Sequence, residues 1–252
     1  MTAKRILLTG VALAIMALLT MGLFGFFKKS PGQRLAANLS SDNPYKDSAI
    51  NLIYNLFFCD DLDLYKTHTQ KPYSYPFDIL FSDKTTMNDL QKIIGDTTMD
   101  PRTRVLAYNK QLAMGHKPGK KELLAVIVEV GLKEGLDVLA SFQDGTARYI
   151  NYTGKLLVWE TTTDTNANEL KNDLFSKSTQ IINQVGPWDK PRKPHPTTGN
   201  ARITFLVSDG LYFGEGPTDV LFEDQLGGPA LLAATQLMQY LTETSLKKSP
   251  EH

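Results

Sequence analysis

Three carboxylates stand where acid–base chemistry could use them: Glu129, Asp209 and Glu215. Glu129 lies inside an apolar, strand-forming run, and the other two lie beside glycines further along the chain. Carboxylates held together away from water suit proton transfer, because burial and mutual repulsion move their pKa values apart. The favoured interpretation of Glu129 is nevertheless structural: it lies on a solvated face, or it is buried against Arg148 or Arg202 from a neighbouring strand.

A second group of residues suits binding. The segment 187–199 is rich in proline, and prolines stiffen a loop and so lower the ordering cost of binding. The candidate binding residues are aromatic or charged side chains of the 186–216 region: Trp188, Asp189, Arg192, His195, Asp209, Tyr212 and Glu215. The alternative is that this region only covers the edge of a sheet.

Two sequence patterns resemble ligand-binding motifs but lack essential members. The glycine-rich stretch 214–217 has Asp219 where a dinucleotide fingerprint needs its third glycine, so a turn is predicted there. The acidic stretch 59–63 lacks the turn glycine and the closing glutamate of a calcium loop, and a helix terminus is predicted instead.

Other reactive side chains follow no recognised spacing. The four histidines are scattered without a zinc-binding pattern, and the chain has no Gly-x-Ser-x-Gly elbow. Cys59 follows Phe57 and Phe58, and a cysteine among apolar neighbours is usually buried and inert. We therefore expect no metal, no cofactor and no nucleophilic cysteine.

Composition indicates an ordered protein without a nucleic-acid partner. The 27 basic and 27 acidic residues cancel, so no field of one sign would attract a polyanion. Ten tyrosines and twelve phenylalanines supply material for a core in the roughly 220 residues that follow the N-terminal segment.

The N-terminal segment predicts a membrane anchor. Residues 6–27 contain no charged side chain, and Lys4, Arg5, Lys28 and Lys29 flank them. About 20 helical residues cross a hydrocarbon core of about 30 Å. A cleaved secretory signal is the alternative, but its apolar core is usually only about 7–15 residues long. The flanking charges barely discriminate orientation; a short basic N-terminus favours a single-pass protein with an extracytoplasmic domain.

After the anchor (1–29) we predict a linker over 30–43 and a helical segment over 44–118. Caps place one helix from Asn43-Pro44 for about 14 residues, one from Thr86 to Gly95, and one from Asp100-Pro101 to Gly115. Residues 60–78, with two prolines that force extended backbone before them, are predicted to be irregular.

Residues 119–246 predict an α+β domain. Short β-branched runs separated by Gly-containing turns indicate an antiparallel meander over 123–160. A helix over 166–185, a hairpin about the turn at Ser208-Asp209-Gly210 and a closing helix over 229–241 follow. The expected order is β-β-β-β-α-β-β-α, a mostly antiparallel sheet covered by helices.

Several stretches together resemble a family of uncharacterised bacterial proteins. They are Gly135 to Ala140, Asp144 to Asn151, Gly154-Lys155, Gly186 to Asp189 and Ser208 to Gly216. The resemblance covers roughly residues 45–245 and implies one structural unit without implying any activity.

The leading functional hypothesis is a membrane-anchored, non-enzymatic protein that binds a partner protein or a small ligand through the 186–216 loops. The alternative is an enzyme of unfamiliar type, with Glu129, Asp209 and Glu215 as its acid–base groups. Convergence of the three carboxylates in one pocket is the feature that separates the two hypotheses.

Overall fold

The computed structural model describes residues 42–248, and the described chain begins with five helices. They are α1 (Ser48–Leu56), α2 (Leu62–His68), α3 (Phe77–Leu80), α4 (Met87–Gly95) and α5 (Pro101–Ala113). The predicted starts of α4 and α5 are confirmed. The Thr86 side chain accepts from the amide of Asp89 in a capping box, and Asp100 caps α5 with proline at its first turn.

Two sequence predictions in this segment are wrong. The first helix does not begin at Asn43-Pro44. Asp47 is its N-cap, and the Asn51 side chain accepts from the N–H of Tyr45 and donates to its carbonyl, which holds Tyr45 outside the helix. Residues 60–78 are not irregular throughout, since α2 lies within them and α3 begins at Phe77. Asp61 starts α2 by accepting from the Leu64 amide.

Six strands form one antiparallel sheet in the order β4-β3-β2-β1-β5-β6. The strands are β1 (Leu123–Leu132), β2 (Gly135–Phe142), β3 (Ala147–Ile150), β4 (Leu156–Trp159), β5 (Asn200–Val207) and β6 (Gly210–Pro217). Helix α6 (Thr165–Ile182) connects β4 to β5, and α7 (Thr218–Glu223) and α8 (Gly227–Lys248) follow β6. The prediction of an α+β fold with an antiparallel sheet is confirmed; the short helix α7 was not predicted.

The stretch 214–217 belongs to strand β6, so the turn predicted there is wrong. Gly214 pairs with Ile203 and Gly216 with Ala201 across the β5–β6 ladder. Glycine marks turns in many sequences, but these two glycines pair within the sheet, and a Cβ on Gly216 would make an ordinary contact of 3.6 Å with Leu221 of α7.

Each face of the sheet has its own apolar core. The front face, towards α1–α5, packs Leu124, Ile127, Val138 and Phe142 against helical residues such as Tyr54. The back face packs alternate strand residues against α6 and α8. The molecule therefore has three layers, and the helical segment shares its core with the sheet.

Within residues 42–248 no helix combines the length and the apolar character that crossing a bilayer requires. The predicted anchor over 6–27 and most of the predicted linker lie outside the described residues.

Candidate functional site

A buried arginine links three neighbouring strands on the front face. The sheet register places Glu129 of β1, Arg202 of β5 and Glu215 of β6 side by side. Arg202 Nη1 lies 3.6 Å from Glu129 Oε2, and Arg202 Nη2 lies 2.9 Å from Glu215 Oε2. The predicted ion pair of Glu129 is therefore made with Arg202, whereas Arg148 pairs with Glu160 near the sheet edge.

Glu129 has no exposed surface and receives a hydrogen bond of 2.7 Å from the Tyr54 hydroxyl of α1. Burial raises the pKa of Glu129 above its ordinary value, and Arg202 and the Tyr54 hydrogen bond offset part of that rise. Burial together with the Glu129 charge raises the pKa of Tyr54. The Glu129 carboxyl is thus held between Tyr54 and Arg202, and none of its surface touches solvent.

The loop 187–199 crosses the front face and is fastened to α1 by Arg192. Arg192 Nε donates to Asp60 at 2.7 Å and Nη2 to Asn55 at 2.9 Å, while the guanidinium lies 4.0 Å from the centre of the Phe58 ring. Arg202 adds hydrogen bonds to the carbonyls of Lys193 and Pro194. Arg192 is a predicted binding residue, and in the fold its side chain holds the loop 187–199 against α1.

His195 lies in the same loop and is oriented by Asp42. Its Nδ1 lies 2.9 Å from both carboxylate oxygens of Asp42, and its backbone N–H donates to the same group. Asp42 is itself held by α1, because Asn55 Nδ2 donates to its carbonyl at 2.6 Å. Among the described residues His195 Nε2 has no hydrogen-bond partner, and its side chain is 37% exposed.

Two other candidate residues, Trp188 and Asp189, lie at the start of the loop 187–199. The Trp188 ring packs on Phe213 of β6 at 5.0 Å, and its backbone N–H donates to Leu211 along the outer edge of that strand. Neighbouring Asp189 is partly exposed. This packing fits the alternative in which the loop covers the sheet edge.

Asp209 and Tyr212 belong to the opposite end of the sheet. Asp209 lies in the β5–β6 turn and accepts from the Tyr212 hydroxyl at 2.8 Å. It is seven positions along the chain from Arg202, about 23 Å at about 3.3 Å per residue. Burial raises the pKa of Tyr212. Glu129 and Glu215 thus meet at Arg202, but Asp209 does not join them.

An open cleft of about 420 Å³ lies between the β1–β2 turn and the loop 187–199. We call it the His195 cleft. Its lining is mixed: Leu132 and Leu136 supply apolar surface, and polar side chains together with glycine and proline supply the rest, namely Lys133, Glu134, Gly135, His195, Pro196, Thr197 and Thr198. A side chain on Gly131 would meet the Thr197 carbonyl oxygen at 2.3 Å, so the loop sits directly on β1 there.

Sequence reasoning found His195 but missed Asp42, Lys133, Thr197 and Thr198. No local signal marks these residues, since Asp42 and His195 are 153 positions apart and meet only through packing. Gly131, in a β-branched strand, was the one available sign that another backbone approaches closely.

The described residues hold no cluster of His, Cys, Asp and Glu that could ligate a metal ion. Cys59 is buried, and burial raises the pKa of its thiol to about 12, so it stays protonated and weakly nucleophilic at neutral pH. Comparison of the chain with protein-family models, with curated proteins and with solved structures found no match.

Proposed function

We propose that this protein is a membrane-tethered, non-enzymatic binding protein that holds a partner protein or a small ligand in the His195 cleft. Of the predicted 186–216 binding loops, we retain the loop 187–199, and we place the site at His195 rather than at Trp188. The tether rests on the apolar run 6–27, and the side of the membrane that the domain faces stays a prediction.

The observation that carries the proposal is that contacts within the protein hold the wall of the cleft in place. Arg192 and Asp42 fasten the loop to α1, and Arg202 fastens it to the sheet. A wall fixed in advance loses little conformational entropy on binding, which is a condition for specific recognition. Lys133, Glu134 and the exposed His195 Nε2 offer donors and acceptors to a polar ligand.

Site-specific photocrosslinking tests the proposal. A photoreactive amino acid replaces Thr197, which is exposed at the cleft, or Thr163, which is exposed beyond β4 at the other end of the sheet. Full-length protein in its membrane is irradiated, and adducts are identified by intact mass spectrometry, which detects both polypeptides and small molecules. We expect a defined adduct at position 197 that is absent at 163. Equal labelling at both positions, or none at 197, contradicts the proposal.

One observation favours an enzyme as the second candidate. A carboxylate that holds histidine Nδ1 and leaves Nε2 open is the arrangement of a general base. Such a His195 would take a proton from a water molecule that attacks an ester. Glu129, Asp209 and Glu215 do not supply this chemistry together, because Asp209 lies at the far end of the sheet.

Hydrolysis of p-nitrophenyl acetate by the full-length protein separates the two functions. A hydrolase loses activity by about a hundredfold or more when His195→Gln removes the base, whereas Glu169→Gln, exposed on α6, leaves the rate unchanged. A binding protein shows no turnover that depends on His195.

A further inference from the structure

A separate apolar groove opens on the back face, between the sheet and α8. The groove is half open and has a volume of about 50 Å³; its apolar walls are Val128, Val130, Leu132, Leu139, Ala234 and Met238. Only Leu132 also lines the His195 cleft, so the two sites are distinct. We propose that this groove binds a small alkylammonium ion, with the alkyl chain against the apolar walls and the ammonium group on the carboxylate of Asp137.

The carboxylate of Asp137 gives the groove a preference for a positively charged ligand group. Asp137 is 8% exposed and lines the groove with Tyr149. Its oxygens accept from the Tyr149 hydroxyl at 3.1 Å and from the Tyr152 amide at 2.6 Å. A carboxylate has about four acceptor positions, so these two donors leave capacity for a further donor.

No cation of the described residues forms an ion pair with Asp137, although Arg202, Arg104 and Arg192 all pair with carboxylates in the same domain. Burial raises the pKa of Asp137 from 3.8 to about 6, although the hydrogen bonds from Tyr152 and Tyr149 oppose that rise. At neutral pH the group is ionised in an apolar groove, where an unpaired charge is costly. A ligand cation removes that cost.

The chemistry of the groove narrows the ligand class. A primary ammonium group supplies both the positive charge and the donors that Asp137 lacks, whereas a carboxylate ligand would be repelled. The groove has one aromatic wall, Tyr149, and no cage for a quaternary ammonium ion. A half-open groove of about 50 Å³ suits a short chain of a few carbons.

Titration with n-butylammonium chloride tests the inference on the full-length protein. The methionine methyl groups are labelled with ¹³C, because Met238 lines the groove while Met87, Met99 and Met114 lie on or beside the helices of the front side. We expect a saturable shift of the Met238 signal alone. Butanol and butyrate at the same concentrations bind at least tenfold more weakly.

Two variants and one pH change complete the test. Asp137→Asn weakens butylammonium binding by at least tenfold, and Thr235→Leu, which keeps Asp137 and fills the groove mouth, weakens it similarly. Lowering the pH from 7.5 to 5 weakens binding by about tenfold, because Asp137 becomes protonated. An unsaturable Met238 shift, equal binding of butanol, or unchanged affinity in Asp137→Asn overturns the inference. Unperturbed front-side methyl signals show that each variant is folded.

Discussion

At the scale of single residues, the partners of Arg202 determine how much it contributes to stability. Arg202→Met leaves Glu129 buried without its cation and releases the carbonyls of Lys193 and Pro194. We expect a loss of about 3–5 kcal/mol in the free energy of unfolding, because an uncompensated buried charge is costly. Urea denaturation followed by circular dichroism measures it.

Arg148→Met is the matched control, since Arg148 is also a buried strand arginine but its partner Glu160 is 59% exposed. Glu160 stays solvated when its partner is removed, so we expect less than half the loss seen for Arg202→Met. Equal losses of unfolding free energy in the two variants would contradict the claim that the burial of Glu129 determines the effect of Arg202→Met.

Asp137 makes the stability of the protein depend on pH. Its pKa is 3.8 unfolded and about 6 folded, so its favourable contribution is complete below pH 3.8 and is lost as the pH rises through about 6. Asp137→Asn removes this dependence. Relative to wild type, the variant should gain about 2 kcal/mol of unfolding free energy between pH 4.5 and 7.5. Urea titrations of both proteins at the two pH values measure this. The same difference in unfolding free energy at pH 4.5 and pH 7.5 would contradict the prediction.

At the scale of elements, Gly131 controls how closely the loop 187–199 approaches β1. A Cβ atom there would lie 2.3 Å from the Thr197 carbonyl oxygen and 2.6 Å from that of Pro196. Gly131→Ala should therefore push the loop outward and cost about 1–3 kcal/mol. Thermal unfolding and amide exchange over 194–199 measure the two effects.

Gly119→Ala is the control for this substitution, because nothing lies within 4 Å of its added methyl group. Its unfolding free energy should stay within about 0.5 kcal/mol of wild type. Wild-type exchange rates over 194–199 in Gly131→Ala would mean that the loop accommodates the methyl group without moving.

The elements themselves differ in how far they could be predicted. Helices α4 and α5 carry local start signals, Thr86 with Asp89 and Asp100 with Pro101, and both were placed correctly. Helix α2 has seven residues and its cap, Asp61, sits in an acidic cluster that resembled a helix end. The start of α1 depends on the contact of Tyr45 with Asn51, which periodicity does not reveal.

At the scale of the whole molecule, the shared front core couples the helical segment to the sheet. Leu124, Ile127 and Val138 are fully buried against helical residues. A fragment of residues 119–252 would expose them to water and should show no cooperative unfolding transition. A fragment of residues 41–252 keeps both layers and should unfold in one transition. Calorimetry compares them; cooperative unfolding of 119–252 would instead support two independent domains divided near residue 118.

The sequence by itself determined the α+β class, the antiparallel meander and most turns. It also narrowed the partner of a buried Glu129 to Arg148 or Arg202. These follow from interactions between residues close in the chain, such as caps, alternation and turn chemistry. Only the tertiary structure decided that Arg202 rather than Arg148 pairs with Glu129, and that Asp209 lies apart from the other carboxylates.

The tertiary structure also decided that Arg192 holds the loop 187–199 in place and that Asp42 orients His195. The partners in these contacts are 132 and 153 positions apart, and they meet because two cores pack on one sheet. Packing of this kind sums many weak contacts over the whole chain, so no window of sequence contains it. The sequence therefore identified residues whose side chains could take part in chemistry. Only the fold showed their partners, and the partners determine their roles.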